Sequence, residues 1–94
     1  MPYAFVARVE LDPATPQAER DRLLREQVIP IAKKQPGFVR GMWMRSADGK
    51  TGIGIVVLDT EANAKQAAQD MASQRPPDAP PIVDSGVYEV AEEA

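Results

Sequence analysis

The chain has 94 residues, of which 44% are hydrophobic and 27% are charged, a composition typical of one globular domain. It contains neither cysteine nor histidine, which excludes disulfides, thiol catalysis and the usual nitrogen ligands of zinc and haem. Eleven basic and fourteen acidic residues give a net charge of −3 without a basic stripe, so we do not expect a nucleic-acid partner.

The sequence shows no sign of a membrane or export segment. No stretch reaches the roughly 20 apolar residues of a membrane span, and the N-terminus lacks a basic-then-apolar signal pattern. We therefore expect a single cytoplasmic domain over residues 1–94, without a membrane partner.

The first third of the chain predicts a strand followed by a helix. The odd positions of residues 3–11 are all apolar, while the even positions pass from Ala4 and Val6 to Arg8 and Glu10, and this period of two predicts a strand. Thr15 is then expected to cap a helix with Pro16 in its first position, and that helix extends to about Lys34. Pro30 cannot donate a backbone hydrogen bond inside the helix, so we expect a kink there.

The rest of the chain predicts three strands and one helix. Asp48-Gly49 predicts a type I′ hairpin turn between two of the strands, and Thr60 is expected to cap the helix. The expected elements are strands 38–46 and 51–59, helix 60–74, a proline-rich loop 75–81, strand 87–91 and an acidic tail 92–94. The order βαββαβ predicts an α+β ferredoxin-like sandwich, in which a four-stranded antiparallel sheet carries two helices on one face.

A two-residue hairpin fixes which residues of its two strands lie opposite each other. It pairs Trp43 with Gly54 and places Trp43 in the set that exchanges backbone hydrogen bonds. The connection between the first two strands, which are parallel, is expected to be right-handed, as almost all such crossovers are. With this handedness, Trp43 lies on the face away from the helices. On this reasoning Met42 and Met44 lie in the core under the helices.

The face assigned to Trp43 is too apolar to be left in water, and the chain has no third layer to cover it. A second copy of the sheet is the simplest cover. We therefore expect a homodimer that associates through this face, as in a dimeric α+β barrel. The expected interface residues are Trp43, Arg45, Val56 and Leu58.

Short motifs in the chain resemble one known group of proteins. They are Gln35-Pro36-Gly37-Phe38, Trp43-x-Arg45, and Leu58-Asp59-Thr60-Glu61 before an alanine-rich helix. Together with the element order, they resemble the antibiotic-biosynthesis-monooxygenase-like domains of the dimeric α+β barrel superfamily. The resemblance implies a homodimer and, in some members, oxidation of polycyclic aromatic substrates by dioxygen without a cofactor.

Other members of that family degrade haem, and their residues do not carry over. The haem-degrading members use an asparagine on the first strand and a tryptophan near the end of the third strand. In this chain the first of these positions is Ala7 or Arg8, and the second is Val57 or Leu58. With no histidine in the chain, haem degradation is not expected, and we expect neither a cofactor nor a metal ion.

The resemblance also suggests which polar groups surround a substrate pocket between helices and sheet. The candidate catalytic residues are Tyr3, Asn63 and Tyr88; each is also typical of an ordinary surface or edge-of-core position. The candidate substrate-binding residues are Met42, Met44, Met71 and Arg40, and the methionines equally suit flexible core packing.

Three functions remain open from the sequence. The first is a monooxygenase-like domain that binds a small apolar or aromatic molecule and oxidises it without a cofactor. The second is a non-catalytic dimeric module for ligand binding or assembly. The third is a tautomerase that uses Pro2 as an N-terminal base, which requires the amine of Pro2 to point into a pocket.

Overall fold

The computed structural model describes residues 1–94, and its elements follow the predicted order βαββαβ. The first of the two helical regions consists of two α-helical segments joined by a π-helical turn. The elements are β1 (Tyr3–Glu10), α1 (Gln17–Leu23), the π-turn (Leu24–Val28), α2 (Ile29–Lys33), β2 (Phe38–Arg45), β3 (Thr51–Leu58), α3 (Glu61–Ser73) and β4 (Ile82–Glu89).

The four strands form one sheet in the order β2-β3-β1-β4, and every neighbouring pair is antiparallel. This is the ferredoxin-like arrangement that the element order predicts. Two boundaries differ from expectation. β4 begins at Ile82 instead of residue 87, because most of its length pairs with β1. The first helix begins after Pro16, which takes the N-cap position expected for Thr15.

Pro30 changes the first helical region in the turn before it. The backbone N–H of Ile29 bonds to the carbonyl of Leu24, five residues back, and this spacing defines a π-helical turn. Because Pro30 then lies at the start of the α2 segment, its missing N–H costs no helical hydrogen bond there. The kink predicted at Pro30 stays a prediction, and what the structure shows is a π-turn immediately before this residue.

The helix α3 begins as the sequence predicts. Thr60 is its N-cap, and the Thr60 hydroxyl accepts a hydrogen bond of 3.1 Å from the backbone N–H of Asn63. Ala64 and Ala67 are fully buried against the sheet. None of the helices is both long enough and apolar enough to cross a lipid bilayer.

The pairing predicted for the β2–β3 hairpin is confirmed. Trp43 lies opposite Gly54, Arg45 opposite Gly52, and Met44 opposite Ile53. The loop that joins the strands is nevertheless not a type I′ turn, since Gly49 alone among its residues has a positive φ.

The face predicted for Trp43 is wrong. The core cluster consists of Val56 and Leu58 from β3 with Ala32, Ala64 and Ala67 from the helices, and Trp43 packs against it. Trp43, Arg45, Val56 and Leu58 therefore lie on the inner face of the sheet, beneath the helices, and not at a seam between two sheets. Met42 and Met44, expected in the core, are 48% and 45% exposed on the outer face.

The hydrogen-bond phase of the hairpin explains the reversal. The backbone N–H of Ser46 donates to the carbonyl of Thr51 at 2.8 Å, so the loop contains four residues instead of two. The same residues still face each other, but the hydrogen-bonded pairs alternate from Ser46–Thr51 outward. Trp43 and Gly54 consequently form a non-hydrogen-bonded pair, and right-handed crossover then places the indole under the helices.

Candidate functional site

A cavity of about 420 Å³ lies between the inner face of the sheet and the first helical region. Its volume is within the range of small-molecule sites, roughly 300–1,000 Å³. Four parts of the chain enclose it. They are the sheet (Phe5, Ala7, Val9, Leu11, Trp43, Gly52, Gly54, Val56), the helix α1 with the π-turn (Leu23, Leu24, Val28), the helix α3 (Met71), and the loop after α3 (Arg75, Pro80, Pro81).

Small residues on the sheet leave room for the cavity and for the indole of Trp43. A methyl group at Gly41 would lie 2.7 Å from Cη2 of the indole, and one at Gly54 would lie 3.1 Å from both Cδ1 and Nε1. Trp43 thus extends over two glycines, one on its own strand and one on β3. The predicted contact between Trp43 and Gly54 is confirmed, on the helix side of the sheet.

The roof of the cavity comes from the irregular part of the first helical region. Leu24 and Val28 are the first and last residues of the π-turn, and both line the cavity. A π-turn is wider than an α-helical turn and often occurs at functional sites. Pro30 thereby influences the shape of the cavity without lining it.

Charged side chains surround this apolar interior, and the acidic ones are exposed at its rim. The exposed acids are Glu10, Asp12, Glu19, Glu26 and Asp78. Arg45, on the inner face of β2, is paired with Asp21 of α1 through an Nη1–Oδ1 distance of 2.6 Å. This ion pair ties the end of the β2 strand to the helix that covers it.

The three candidate catalytic residues are not brought together. The Tyr3 hydroxyl donates to Oε2 of Glu89 at 3.2 Å, whereas Tyr88 is 58% exposed on the outer face. Asn63 donates from Nδ2 to Oδ1 of Asp59 at 2.8 Å, in the first turn of α3. None of the three lines the cavity.

Loss of a proton from Tyr3 is also disfavoured. Burial raises the pKa of Tyr3 above its ordinary value, and the negative charge of Glu89 and its hydrogen bond raise that pKa further. The hydroxyl therefore stays protonated at neutral pH and is suited to donate a hydrogen bond.

The candidate substrate-binding residues divide between the two faces. Met71 lines the cavity, as expected for such a residue. Met42 and Met44 belong to the outer face, although Met44 also borders the cavity from β2. Arg40 forms an ion pair with Glu93 of the C-terminal tail, away from the cavity.

Pro2 also lies apart from the cavity lining, and its carbonyl accepts a hydrogen bond of 2.9 Å from the backbone N–H of Val90. Pro2 is therefore not placed to act as a base on a molecule in this cavity.

Sequence reasoning missed Arg75 and the roof residues of the π-turn as parts of a site. For Arg75 the sequence predicts only a loop, and for the residues of the π-turn it predicts only a helix. Ser46 is the signal that would have placed Trp43 correctly, because its hydroxyl accepts from the backbone N–H of Thr51 at 3.0 Å and closes the longer loop.

Known structures share this fold. The chain is similar to SnoaB, a cofactor-independent oxygenase from Streptomyces nogalater, with 19% identity and a TM-score of 0.72 over 98% of this chain and 95% of that one. It is also similar to the monooxygenase ActVA-Orf6 of Streptomyces coelicolor in complex with nanaomycin D, with 16% identity and a TM-score of 0.66 over 98% and 89% of the two chains.

A heme-degrading protein from Mycobacterium tuberculosis has the same fold, with 16% identity and a TM-score of 0.64 over 100% of this chain and 99% of that one. No family model and no curated protein sequence matches the chain. The resemblance inferred from the sequence motifs is thus confirmed at the level of the fold, which is that of the antibiotic-biosynthesis-monooxygenase-like proteins. The fold hosts more than one chemistry, so activity must be argued from the cavity.

Proposed function

We propose that the cavity binds a planar aromatic molecule against the indole of Trp43, and that the protein oxidises this molecule with dioxygen without a cofactor. The observation that carries the proposal is the position of Trp43, under the helices and in the wall of a cavity of about 420 Å³ that other apolar side chains of the sheet also line. An aromatic side chain in such a wall favours stacking with a flat ring. SnoaB is a cofactor-independent oxygenase and ActVA-Orf6 is a monooxygenase, and the shared fold supports the same class of reaction here.

The chemistry assigned to the protein is positioning and exclusion of water. A CH₂ group held between phenolic rings is acidic, and its carbanion can give an electron to dioxygen. One oxygen atom then becomes the ring carbonyl, and the other leaves as water with the two hydrogens of the CH₂ group. The acidity comes from the substrate, and the cavity holds the reacting carbon in one orientation beside dioxygen.

Oxygen uptake with a hydroxyanthrone as substrate tests this proposal. The expected result is uptake above the autoxidation rate of the substrate, with one water and one anthraquinone formed per dioxygen consumed. We expect Trp43→Ala to lower kcat/KM and Trp43→Phe, which keeps a stacking ring, to retain more of it. Oxygen uptake at the same rate as without protein would overturn the proposed oxidation, but not the proposed binding of an aromatic molecule in the cavity.

A non-catalytic ligand-binding protein is the second candidate function. The observation in its favour is that Tyr3, Asn63 and Tyr88 do not line the cavity, so no tyrosine or asparagine from the expected set faces a ligand. Stoichiometric binding of the hydroxyanthrone without oxygen uptake would support this candidate.

We also propose that the outer face of the sheet is covered by a second copy of the chain. Met42, Met44 and Ile53 are 48%, 45% and 36% exposed there, next to Val6 and Ile55 of the same face. We call these five residues the outer patch. A contiguous apolar patch on a sheet without a covering layer favours association with another surface. The dimer expected from the sequence is thus retained with a different set of residues.

A further inference from the structure

Arg75 is a cavity residue whose charge is not matched by a carboxylate. It opens the proline-rich loop that closes one side of the cavity, and its Nη2 donates to the carbonyl oxygen of Pro80 in the same loop. The ion pairs of the chain are Arg40–Glu93, Arg45–Asp21 and Lys65–Glu61, so no carboxylate lies within 4.0 Å of Arg75. A guanidinium has five N–H donors, and this hydrogen bond occupies only part of that capacity.

The other arginines of the cavity wall are in different situations. Arg45 is paired with Asp21, Arg22 is exposed, and Arg20 donates to the carbonyl oxygen of Asp12 on the exposed side of the rim. The guanidinium of Arg75 is partly buried, and burial lowers its pKa. Arg20 and Arg75 are thus both half-buried and without a carboxylate partner, but the hydrogen bond of Arg20 is exposed, whereas that of Arg75 is partly buried.

A partly buried cation without a counterion is unfavourable, and an anion placed beside it relieves the cost. The acids that line the cavity, Asp78 of the same loop included, are exposed and leave Arg75 without an ion-pair partner. The position next to Arg75 is thus available to a charged group of a ligand.

We infer that Arg75 binds a carboxylate on the ligand, so that the cavity accepts aromatic acids in preference to neutral aromatic molecules of the same shape. This inference rests on the proposed function, because it assumes that the cavity is the ligand site. A carboxylate fits the planar guanidinium through two parallel hydrogen bonds, which a single hydroxyl or carbonyl group cannot form. The aromatic ring lies against Trp43 in the same cavity, and the carboxylate is held at the proline-rich loop.

Titration of Trp43 fluorescence with 2-naphthoate and with 2-naphthamide tests the inference, because the two ligands differ mainly in charge. We expect wild-type protein to bind 2-naphthoate about tenfold or more tightly than 2-naphthamide. Arg75→Met should remove this preference and leave the affinity for 2-naphthamide within about twofold. Arg75→Lys should keep part of the preference, and Arg20→Met, the matched control on the rim, should keep all of it.

Each alternative outcome has a distinct meaning. Equal affinity of wild-type protein for the two ligands would overturn the role of Arg75 and leave the cavity proposal standing. Loss of the preference in Arg20→Met but not in Arg75→Met would also overturn it. Failure of both ligands to bind would overturn the proposed function and this inference together. If Arg75→Met does not fold, the ratio of the two affinities in wild type and in Arg75→Lys still tests the inference. A ratio that is the same in both proteins would overturn the role of Arg75.

Discussion

The indole of Trp43 contacts Gly54 on the neighbouring strand so closely that a methyl group at Gly54 would lie 3.1 Å from both Cδ1 and Nε1 of the ring. Gly41, two residues before Trp43 on its own strand, leaves space under the other end of the indole. The two glycines and the tryptophan thus form one packing unit in the wall of the cavity. A side chain at either glycine would move the indole into the space assigned to a ligand.

We expect Gly41→Ala to destabilise the protein by about 1–3 kcal/mol, because the new methyl group would be only 2.7 Å from Cη2 of the indole. In a Trp43→Ala background the same change should cost almost nothing. Chemical denaturation followed by circular dichroism, arranged as a double-mutant cycle, measures this coupling. Equal costs in the two backgrounds would show that the indole does not lie over Gly41.

Gly37→Ala should be the most harmful glycine-to-alanine change in the chain. Gly37 and Gly49 have φ angles of +77° and +74°, which strain any residue with a Cβ atom. A Cβ atom at Gly37 would also overlap Oδ1 of Asp59 and lie 2.5 Å from Nδ2 of Asn63, whereas Gly49 faces open space.

Gly49→Ala is therefore the matched control for Gly37→Ala. We expect Gly49→Ala to lower the free energy of unfolding by about 1–2 kcal/mol through backbone strain. Gly37→Ala should lower it by about 1–3 kcal/mol more, because of the overlap with Asp59. Equal midpoints of unfolding for the two variants would contradict the close approach of Gly37 to Asp59.

The hairpin shows what the sequence can and cannot predict here. Pairing of Trp43 with Gly54 follows from the positions of the two strands about their turn, and a two-residue and a four-residue loop give the same pairs. The face of Trp43 depends on which pairs exchange hydrogen bonds, and the side chains of Ser46 and Asp48 decide that. The Asp48 carboxylate accepts from the Ser46 hydroxyl at 2.6 Å and from the Lys50 backbone at 3.0 Å.

The site was less predictable than the fold, for a related reason. Alternation and capping are local patterns, so strands β1 to β3 and helix α3 could be predicted from the sequence. The start of β4 depends on its pairing with β1, and the cavity depends on how a π-turn and a proline-rich loop enclose the sheet. Arg75 gains its significance only from the absence of a carboxylate near it, which no local pattern reports.

Tyr3 should titrate at higher pH than an ordinary tyrosine. In a Tyr88→Phe variant Tyr3 is the only tyrosine left, so ultraviolet absorbance reports its ionisation alone. We expect a midpoint above about 10, because burial and the negative charge of Glu89 both disfavour the phenolate. Adding Glu89→Gln should lower the midpoint. An unchanged midpoint would show that Glu89 does not act on Tyr3.

Replacement of Met44 by glutamate should weaken self-association. The change puts a charge into the outer patch, where a second sheet would have to desolvate it. Analytical ultracentrifugation should give a species of twice the 10.2 kDa chain mass for wild type and a shift toward one chain for Met44→Glu. Lys65→Glu, a charge reversal on the exposed side of α3, is the control and should remain dimeric. A monomeric wild type would refute the dimer proposal.

The most direct test of the central claim is to locate a bound aromatic ligand by nuclear magnetic resonance, using the indole N–H of Trp43 and the methyl groups of the methionines. The chain has one tryptophan, so the indole gives one resonance. With 2-naphthamide bound, we expect a saturable shift of that resonance and nuclear Overhauser contacts from the ligand to Trp43 and Met71. Contacts to Met42 on the outer face, with an unchanged indole resonance, would contradict the assignment of the cavity as the ligand site.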